Sequence, residues 1–299
     1  MRNQKIVPHL WFDTEAEQAV DFYKNVFPET EIIKKVTLQD TPSGDAQQLI
    51  FNIFNFRFMA INAGPYFVKN PSISFTVLFK KSEIELLETV YNKLVENGKA
   101  IMPLNQYDFS ERYGWVQDQY DVSWQLLVTN DPITHRIEPT LLFMNENVGR
   151  AEEAIHFYNK VFKNSEPGDK FYYPEGLEPN KTSQLAHARF KIENQWFTCM
   201  DSAYDYGYQF NEGISLMVTL EDQGEIDDYW EKLSTVPEAE QCGWLKDPFG
   251  VSWQIVPEHL DEMMAHDSPE QLKRVTEAFL KMKKFDIATL EKHITVSND

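Results

Sequence analysis

Cysteine is scarce in this chain: Cys199 and Cys242 are the two among 299 residues. They supply no disulfide framework and no cysteine-based metal site, and a reduced, cytoplasmic setting is the natural expectation. Glycine is thin as well, 12 in all and scattered. No Gly-x-Gly-x-x-Gly turn, P-loop, nucleophile elbow or His-Glu-x-x-His helix occurs. The Gly-rich turn between a strand and a helix, with which a methyl donor is usually held, is therefore missing. No apolar run approaches the roughly 18 residues that a membrane span needs. The start, Met1-Arg2-Asn3-Gln4-Lys5, enters a strand-like segment with no signal-peptide core behind it. Basic residues are outnumbered, 28 Lys and Arg against 47 Asp and Glu, for a net charge of −19. That field repels polyanions, so nucleic acid and anionic membrane are poor partners.

What the chain does hold is a repeat. Phe22-Tyr23-Lys24-Asn25-Val26-Phe27 returns as Phe157-Tyr158-Asn159-Lys160-Val161-Phe162. Ile73-Ser74-Phe75-Thr76-Val77 returns as Ile214-Ser215-Leu216-Met217-Val218. Gly114-Trp115, with Ser123-Trp124-Gln125 after it, returns as Gly243-Trp244 and Ser252-Trp253-Gln254. The order is kept while the loops change length, as in a duplicated domain. The expected organisation is a first domain over 1–130, a linker over 131–138, a second domain over 139–257 and a helical extension over 258–299.

Each copy has two half-units of one grammar. A strand, His9–Phe12, precedes a helix whose apolar stripe is Ala16, Ala19, Val20, Tyr23, Val26 and Phe27. Three strands follow, Glu31–Leu38, Gln47–Ile53 and Phe56–Asn62. The second half-unit runs Ile73–Phe79, a helix with Ile84, Leu87, Tyr91, Leu94 and Val95 inward, then Ala100–Leu104, Gly114–Gln117 and Val122–Val128. Written out, a copy is βαβββ–βαβββ, an α+β chain. Thr14-x-x-Glu17, Ser82-x-x-Glu85 and Asp222-x-x-Glu225 read as capping boxes at helix starts. Asp247-Pro248-Phe249-Gly250 suits a type I turn. After it Val251, Trp253 and Ile255 alternate with Ser252 and Gln254, the period of a strand with one apolar and one polar face. Lys163–Lys181 reads as an exposed loop. Beyond Pro257 the pattern is helical, with a start at Ser268-Pro269-Glu270-Gln271 and another at Asp286. Helices this short must dock on something: their own domain, the first copy or a second subunit.

Paired βαβββ units, Phe22-Tyr23 and Phe157-Tyr158, Asn62-Ala63-Gly64-Pro65, Cys242 to Asp247, Phe249 to Gln254 and Met282 to Ile287 together resemble the PhnB-like branch of the vicinal oxygen chelate (glyoxalase/bleomycin-resistance) superfamily. That branch carries a 3-demethylubiquinone-9 3-methyltransferase label. The resemblance implies tandem glyoxalase-like domains whose curved sheets form cups for a small molecule. It also implies a divalent metal, held by His and Glu on the first and last strands. At the last-strand position this chain has Gln125 and Gln254, whose neutral amides are poor ligands for such a cation. The strands opening the second half-units offer Ser74 and Ser215, and the first strand offers His9 in one copy but Thr140 in the other. A metal is thereby disfavoured, with His9 and His187 as the weak candidates.

His9 faces the cup if Leu10 and Phe12 face the helix. His187 and Asp201 flank the middle strands of copy two, where copy one has Gln48 and Asn62. His187 reads either as a general base or as a hydrogen-bonded strand histidine. Trp124 and Trp253 read as core. Trp11 and Trp196 could line an aromatic pocket or fill the core, and Trp115 and Trp244, next to Gly, are the better pocket candidates. Ser123 with Gln125, and Ser252 with Gln254, either orient a ligand or bond to each other. Cys242, among acidic neighbours, reads as structural. The expected function is small-molecule binding, with His9, Trp11, Gln125, Trp115, His187, Asp201, Trp244 and Gln254 as pocket candidates. The alternatives are a metal-dependent glyoxalase- or dioxygenase-type enzyme, and a structural protein in which one domain serves the other as a lid or a homodimer surface.

Overall fold

The computed structural model of the chain describes residues 4–41, 44–260 and 269–295. The start of the chain at residues 1–3 and the helix-start residue Ser268 lie outside the described residues. Four βαβββ-type modules follow one another. The first is β1 (Ile6–Phe12), α1 (Ala16–Val26), β2 (Thr30–Thr41), β3 (Gly44–Ile53) and β4 (Phe56–Asn62). The second is β5 (Ile73–Lys80), α2 (Ile84–Val95), β6 (Lys99–Tyr107), β7 (Ser110–Gln117) and β8 (Ser123–Thr129). The third is β9 (Ile137–Phe143), α3 (Ala151–Val161), β10 (Glu166–Tyr172), β11 (Leu185–Ile192) and β12 (Gln195–Asp201). The fourth is β13 (Ile214–Leu220), α4 (Gln223–Leu233), β14 (Trp244–Lys246) and β15 (Ser252–Pro257). Helices α5 (Pro269–Phe279) and α6 (Ile287–Thr295) are the last elements of the described residues.

The modules pair across the repeat. One sheet has seven strands, in the order β14-β15-β13-β1-β4-β3-β2, and so joins the first module to the fourth. The other has eight, β10-β11-β12-β9-β5-β8-β7-β6, and joins the second to the third. The seams are the antiparallel pairs β1–β13, where His9 lies opposite Ser215, and β5–β9, where Ser74 lies opposite Thr140. Each curved sheet thus draws on both copies: the seven-stranded sheet takes four strands from the first and three from the second, and the eight-stranded sheet takes four from each.

Alternation decides what faces where. On β1, Ile6, Leu10 and Phe12 enter the large core with α1 and α3, whereas Val7, His9 and Trp11 face the other way. Trp124 and Trp253 are fully buried in that core, as their alternation with Val and Leu or Ile predicts. Two matched clusters tie the modules of each copy together. Asp118 accepts hydrogen bonds from the Tyr23 hydroxyl, Trp124 Nε1, and the backbone N–H groups of Tyr120 and Val122. Asp247 does the same with Tyr158, Trp253, Phe249 and Val251. The repeated Phe-Tyr and the repeated Asp turn are therefore the two ends of one buried bridge. Burial pushes both carboxyls up to about 6, against the pull of those donors. It also raises the two tyrosines well above their ordinary value.

Several local expectations are corrected. The Asp222 cap forms, its carboxylate accepting from Glu225 N at 2.8 Å. The Thr14 box does not; Asn62 Oδ1 accepts from Ala16 N instead, at 2.7 Å, because β4 ends against that helix start. The Ser82 box gives way to a short 3-10 turn over Lys81–Glu83, in which Lys80 N donates to Glu83. The stretch Lys163–Lys181 contains an edge strand, β10, whose outward side chains carry no apolar alternation. The fourth module has two strands after its helix, since Pro237–Ala239 form a 3-10 turn where the others place an edge strand.

Candidate functional site

Strand pairing across the β1–β13 seam places His9, Ser215 and Gln254 on the concave face of the seven-stranded sheet, since Met217 is the register partner of Gln254 and Val7 that of Met217. This face forms a cavity of about 720 Å³. Its walls include Val7, His9, Trp11, Met59, Met217, Trp244, Cys242 and Gln254. Trp11 and Trp244 meet edge-on at 6.1 Å between ring centroids, and His9 lies edge-on to Trp244 at 5.7 Å. Trp11 Nε1 donates to Gly64 O at 2.7 Å, so the turn closing β4 fixes that ring. Phe67 also meets the Trp11 ring edge-on, at 5.0 Å between centroids.

His9 is 2% exposed, and its Nδ1 is buried without a hydrogen-bond partner. Burial lowers its pKa to about 4, so the imidazole is neutral at physiological pH. Gln254 Nε2 donates to Ser215 Oγ at 2.9 Å, which pins the amide beside His9. Cys242, half-buried in the wall, has its thiol pushed up to about 11 by burial, so it is an unreactive thiol at neutral pH.

The other half of the predicted set lies on the eight-stranded sheet. Gln125 is satisfied at both ends: Nε2 donates to Ser74 Oγ at 2.9 Å, and Oε1 accepts from the Tyr113 hydroxyl at 2.8 Å. Trp115 Nε1 donates to Ser123 Oγ at 2.7 Å. Thr76, Thr140 and Thr198 form a buried hydroxyl chain. Glu138, 1% exposed, accepts from Arg189 and His135. Burial raises its carboxyl, yet the His135 and Arg189 contacts outweigh that and hold it below the usual range. His187 sits on this sheet near Phe171, with its pKa lowered by burial. Asp201 belongs to neither face's chemistry. It accepts from Gly149 N, Ala151 N and Leu185 N, and so holds the start of α3 as Asn62 holds that of α1. Burial raises its carboxyl against those three donors.

His9 of copy one thus shares a wall with Gln254 and Trp244 of copy two, while Gln125 and Trp115 lie on neighbouring strands of the other sheet and His187 on a strand several places away from them. Sequence reasoning did not reach Met59, Met217, Phe279 and Phe285. The first two follow from counting alternate residues from His9 and Gln254 through the pairing. The last two depend on where the tail docks.

That tail packs over the cavity. Phe279, Leu280 and Phe285 line it, and Val275, Phe279, Phe285 and Leu290 cluster with Val7, Ile50, Met59 and Met217. Cys242 N donates to Met282 O at 2.8 Å and Gly243 N to Lys283 O at 2.7 Å. Gly243 adopts φ +82°, and a Cβ there would lie 2.5 Å from the Phe285 ring. Glycine is required at this position both for the left-handed backbone and for the close approach.

The residues at the positions where the fold family holds a metal do not suit a divalent cation. His9, Ser215 and Gln254 supply one imidazole, a hydroxyl and an amide, and the last two are bonded to each other. Among the described residues no group of three or more His, Cys, Asp or Glu is placed to hold a metal ion. No helix among them is long and apolar enough to cross a membrane.

The chain is similar to a putative 3-demethylubiquinone-9 3-methyltransferase, PhnB protein, from Bacillus cereus, with 32% identity over 42% of this chain and 100% of that one, at a TM-score of 0.38. Glyoxalase I from Zea mays is 14% identical over 88% of this chain and 97% of its own, at 0.54. A putative dioxygenase from Bacillus subtilis is 11% identical over 95% of this chain and 94% of its own, at 0.52. These last two share the fold. No curated protein matches the sequence significantly. The model of the 3-demethylubiquinone-9 3-methyltransferase family matches twice, over residues 4–127 and 135–256, and the chain belongs to that family, the PhnB-like branch of the vicinal oxygen chelate superfamily.

Proposed function

We propose that the protein binds a small organic molecule in the cup of the seven-stranded sheet. The observation that carries this reading is the buried, unpartnered Nδ1 of His9 in the wall of a cavity of about 720 Å³. An orphaned polar atom in an apolar wall costs about 1–3 kcal/mol, and a ligand group that hydrogen-bonds to it recovers that cost. The volume falls within the range of small-molecule sites, about 300–1,000 Å³. Trp11 and Trp244 would hold a flat or apolar part, and His9 with Gln254 would orient a polar part. Binding of this kind needs no proton or electron transfer. The family description's methyl transfer would need a seat for a methyl donor, and the sequence has no Gly-rich strand-to-helix turn to provide one.

Native mass spectrometry of the purified protein, before and after gentle unfolding, tests the proposal. The expected result is a small molecule retained by the wild type and by Gln125→Ala, and lost from His9→Ala and Gln254→Ala. Retention by all of them would place the ligand elsewhere. Stoichiometric zinc, manganese, nickel or iron in protein purified without chelators, lost on His9→Ala, would favour the enzyme reading instead.

A further inference from the structure

The charges that line the cavity differ in place from its neutral groups. Arg57, Glu238 and Glu258 are exposed at its edge, and Glu212 is paired with Lys246 at 2.8 Å. The buried polar groups of the wall, His9, Ser252 and Gln254, carry no charge, since burial keeps the imidazole neutral. Much of the remaining inner wall is apolar, from Val7, Ile50, Met59 and Met217 with the neutral Gln48 beside Met59, and it is faced by Phe279 and Phe285 from the tail. The tail is not loosely draped. Besides the bonds from Cys242 and Gly243, Gln223 takes Ile287 N on its carbonyl and donates to Phe285 O, at 2.9 and 3.0 Å. Lys283 reaches Glu240, and Lys284 reaches Asp227. Residues 279–287 lie outside both stretches that match the family model, yet they supply part of the cavity wall.

We propose that this C-terminal segment, through Phe279 and Phe285, is the specificity element of the cavity, and that the completed site selects an uncharged molecule with an apolar body and one hydrogen-bonding head. The proposal rests on the reading of this cup as a binding site. The head meets His9 and Gln254. The body lies between the methionines and the two phenylalanines. A carboxylate, phosphate or ammonium carried to His9 would lose its water and meet only neutral dipoles, which do not compensate a buried charge. Without the tail the apolar half of the wall is open to solvent, and the body gains little from entering.

Three matched aromatic probes decide the class: 1-naphthol, 1-naphthoate and 1-naphthylmethylammonium, titrated into the full-length protein at pH 7 and followed by tryptophan fluorescence and calorimetry. The expected order is naphthol first, with both ions weaker by about tenfold or more. Phe279→Ala should weaken naphthol by about tenfold, and Leu280→Ala, a milder change in the same wall, by a few-fold. Unchanged circular dichroism and melting by each variant would establish that the chain still folds. If either ion binds as tightly as naphthol, the ligand class is overturned. If Phe279→Ala and Leu280→Ala both bind naphthol as the wild type does, the role of the tail is overturned. Failure of all three probes to bind would sink the reading of the cup as a site, and this inference with it.

Discussion

The two cups descend from one plan and differ at matched positions. Where the seven-stranded sheet turns Val7, Ile50, Met59 and Met217 inward, the eight-stranded sheet has Glu138, Arg189, Thr198 and Thr76 in the same register. The first set is apolar and clusters with the tail helices. The second forms its own ion pair and hydroxyl chain. Gln125 has its carbonyl capped by Tyr113, whereas the residue matching Tyr113 beside Gln254 is Cys242, too short for that role and turned at φ +52°. The strand β7 runs on through Tyr113 and Gly114, but β14 begins only at Trp244, and the freed Cys242 and Gly243 N–H groups receive the tail. In the proposed reading, a duplicated cup becomes a site when its polar filling is removed and an apolar cover is supplied. It becomes a structural block when its inner groups satisfy each other.

The comparison can be broken first where the copies agree. Asp118→Ala and Asp247→Ala each strip partners from a buried tyrosine hydroxyl and a tryptophan N–H, and each should cost about 3–5 kcal/mol in urea unfolding. A much smaller cost in one copy would show that the two bridges are not equivalent. Next comes the pair of glutamines. Tyr113→Phe leaves the Gln125 carbonyl unpaired and should cost about 1–2 kcal/mol without altering ligand binding. Gln254→Ala should do the reverse, weakening the ligand by about tenfold with a smaller loss of stability.

The pH dependence sharpens the contrast further. The His9 pKa lies near 4 in the folded chain, below the ordinary 6.5, so the unfolded chain binds its proton first as the pH falls. Stability from this group is intact above about 6.5 and declines down to about 4, by about 3 kcal/mol in total. The buried Asp118 and Asp247 act oppositely, since their raised pKa values favour the folded chain as the pH falls from about 6 to below 4. The difference in melting between wild type and His9→Gln across pH 7 to 4 should isolate the histidine. A flat difference would mean that the ring takes up its proton in place. The smallest expected effect is Met217→Thr, which copies Thr76 into the other cup. It should loosen the tail by about 1 kcal/mol, seen as faster amide exchange in α5 and α6.

Much of this was legible in the residues themselves. The half-unit grammar, the core stripe of α1 and the inward faces of Trp124 and Trp253 follow from periods of 3.6 and 2, which are local. The orientation of His9 followed from its neighbours Leu10 and Phe12. Asp201 was paired with His187 because the two flank the middle strands of copy two, whereas its carboxylate is held by the N–H groups of Leu185 and, at the start of α3, of Gly149 and Ala151, contacts no local pattern encodes. The edge strand β10 was hidden because an edge with two solvated faces carries no alternation. The docking place of the tail was also out of reach, since its apolar stripe fits any apolar face.

The sequence by itself determined the repeat, the module grammar and the neutral amides at Gln125 and Gln254, because these depend on residues close together in the chain. Only the tertiary structure decided that modules pair across the copies, so that His9 and Gln254, 245 residues apart, share one wall. Strand edges are generic in their hydrogen bonding. Which edges meet is set by how two whole copies pack, and no local pattern encodes that.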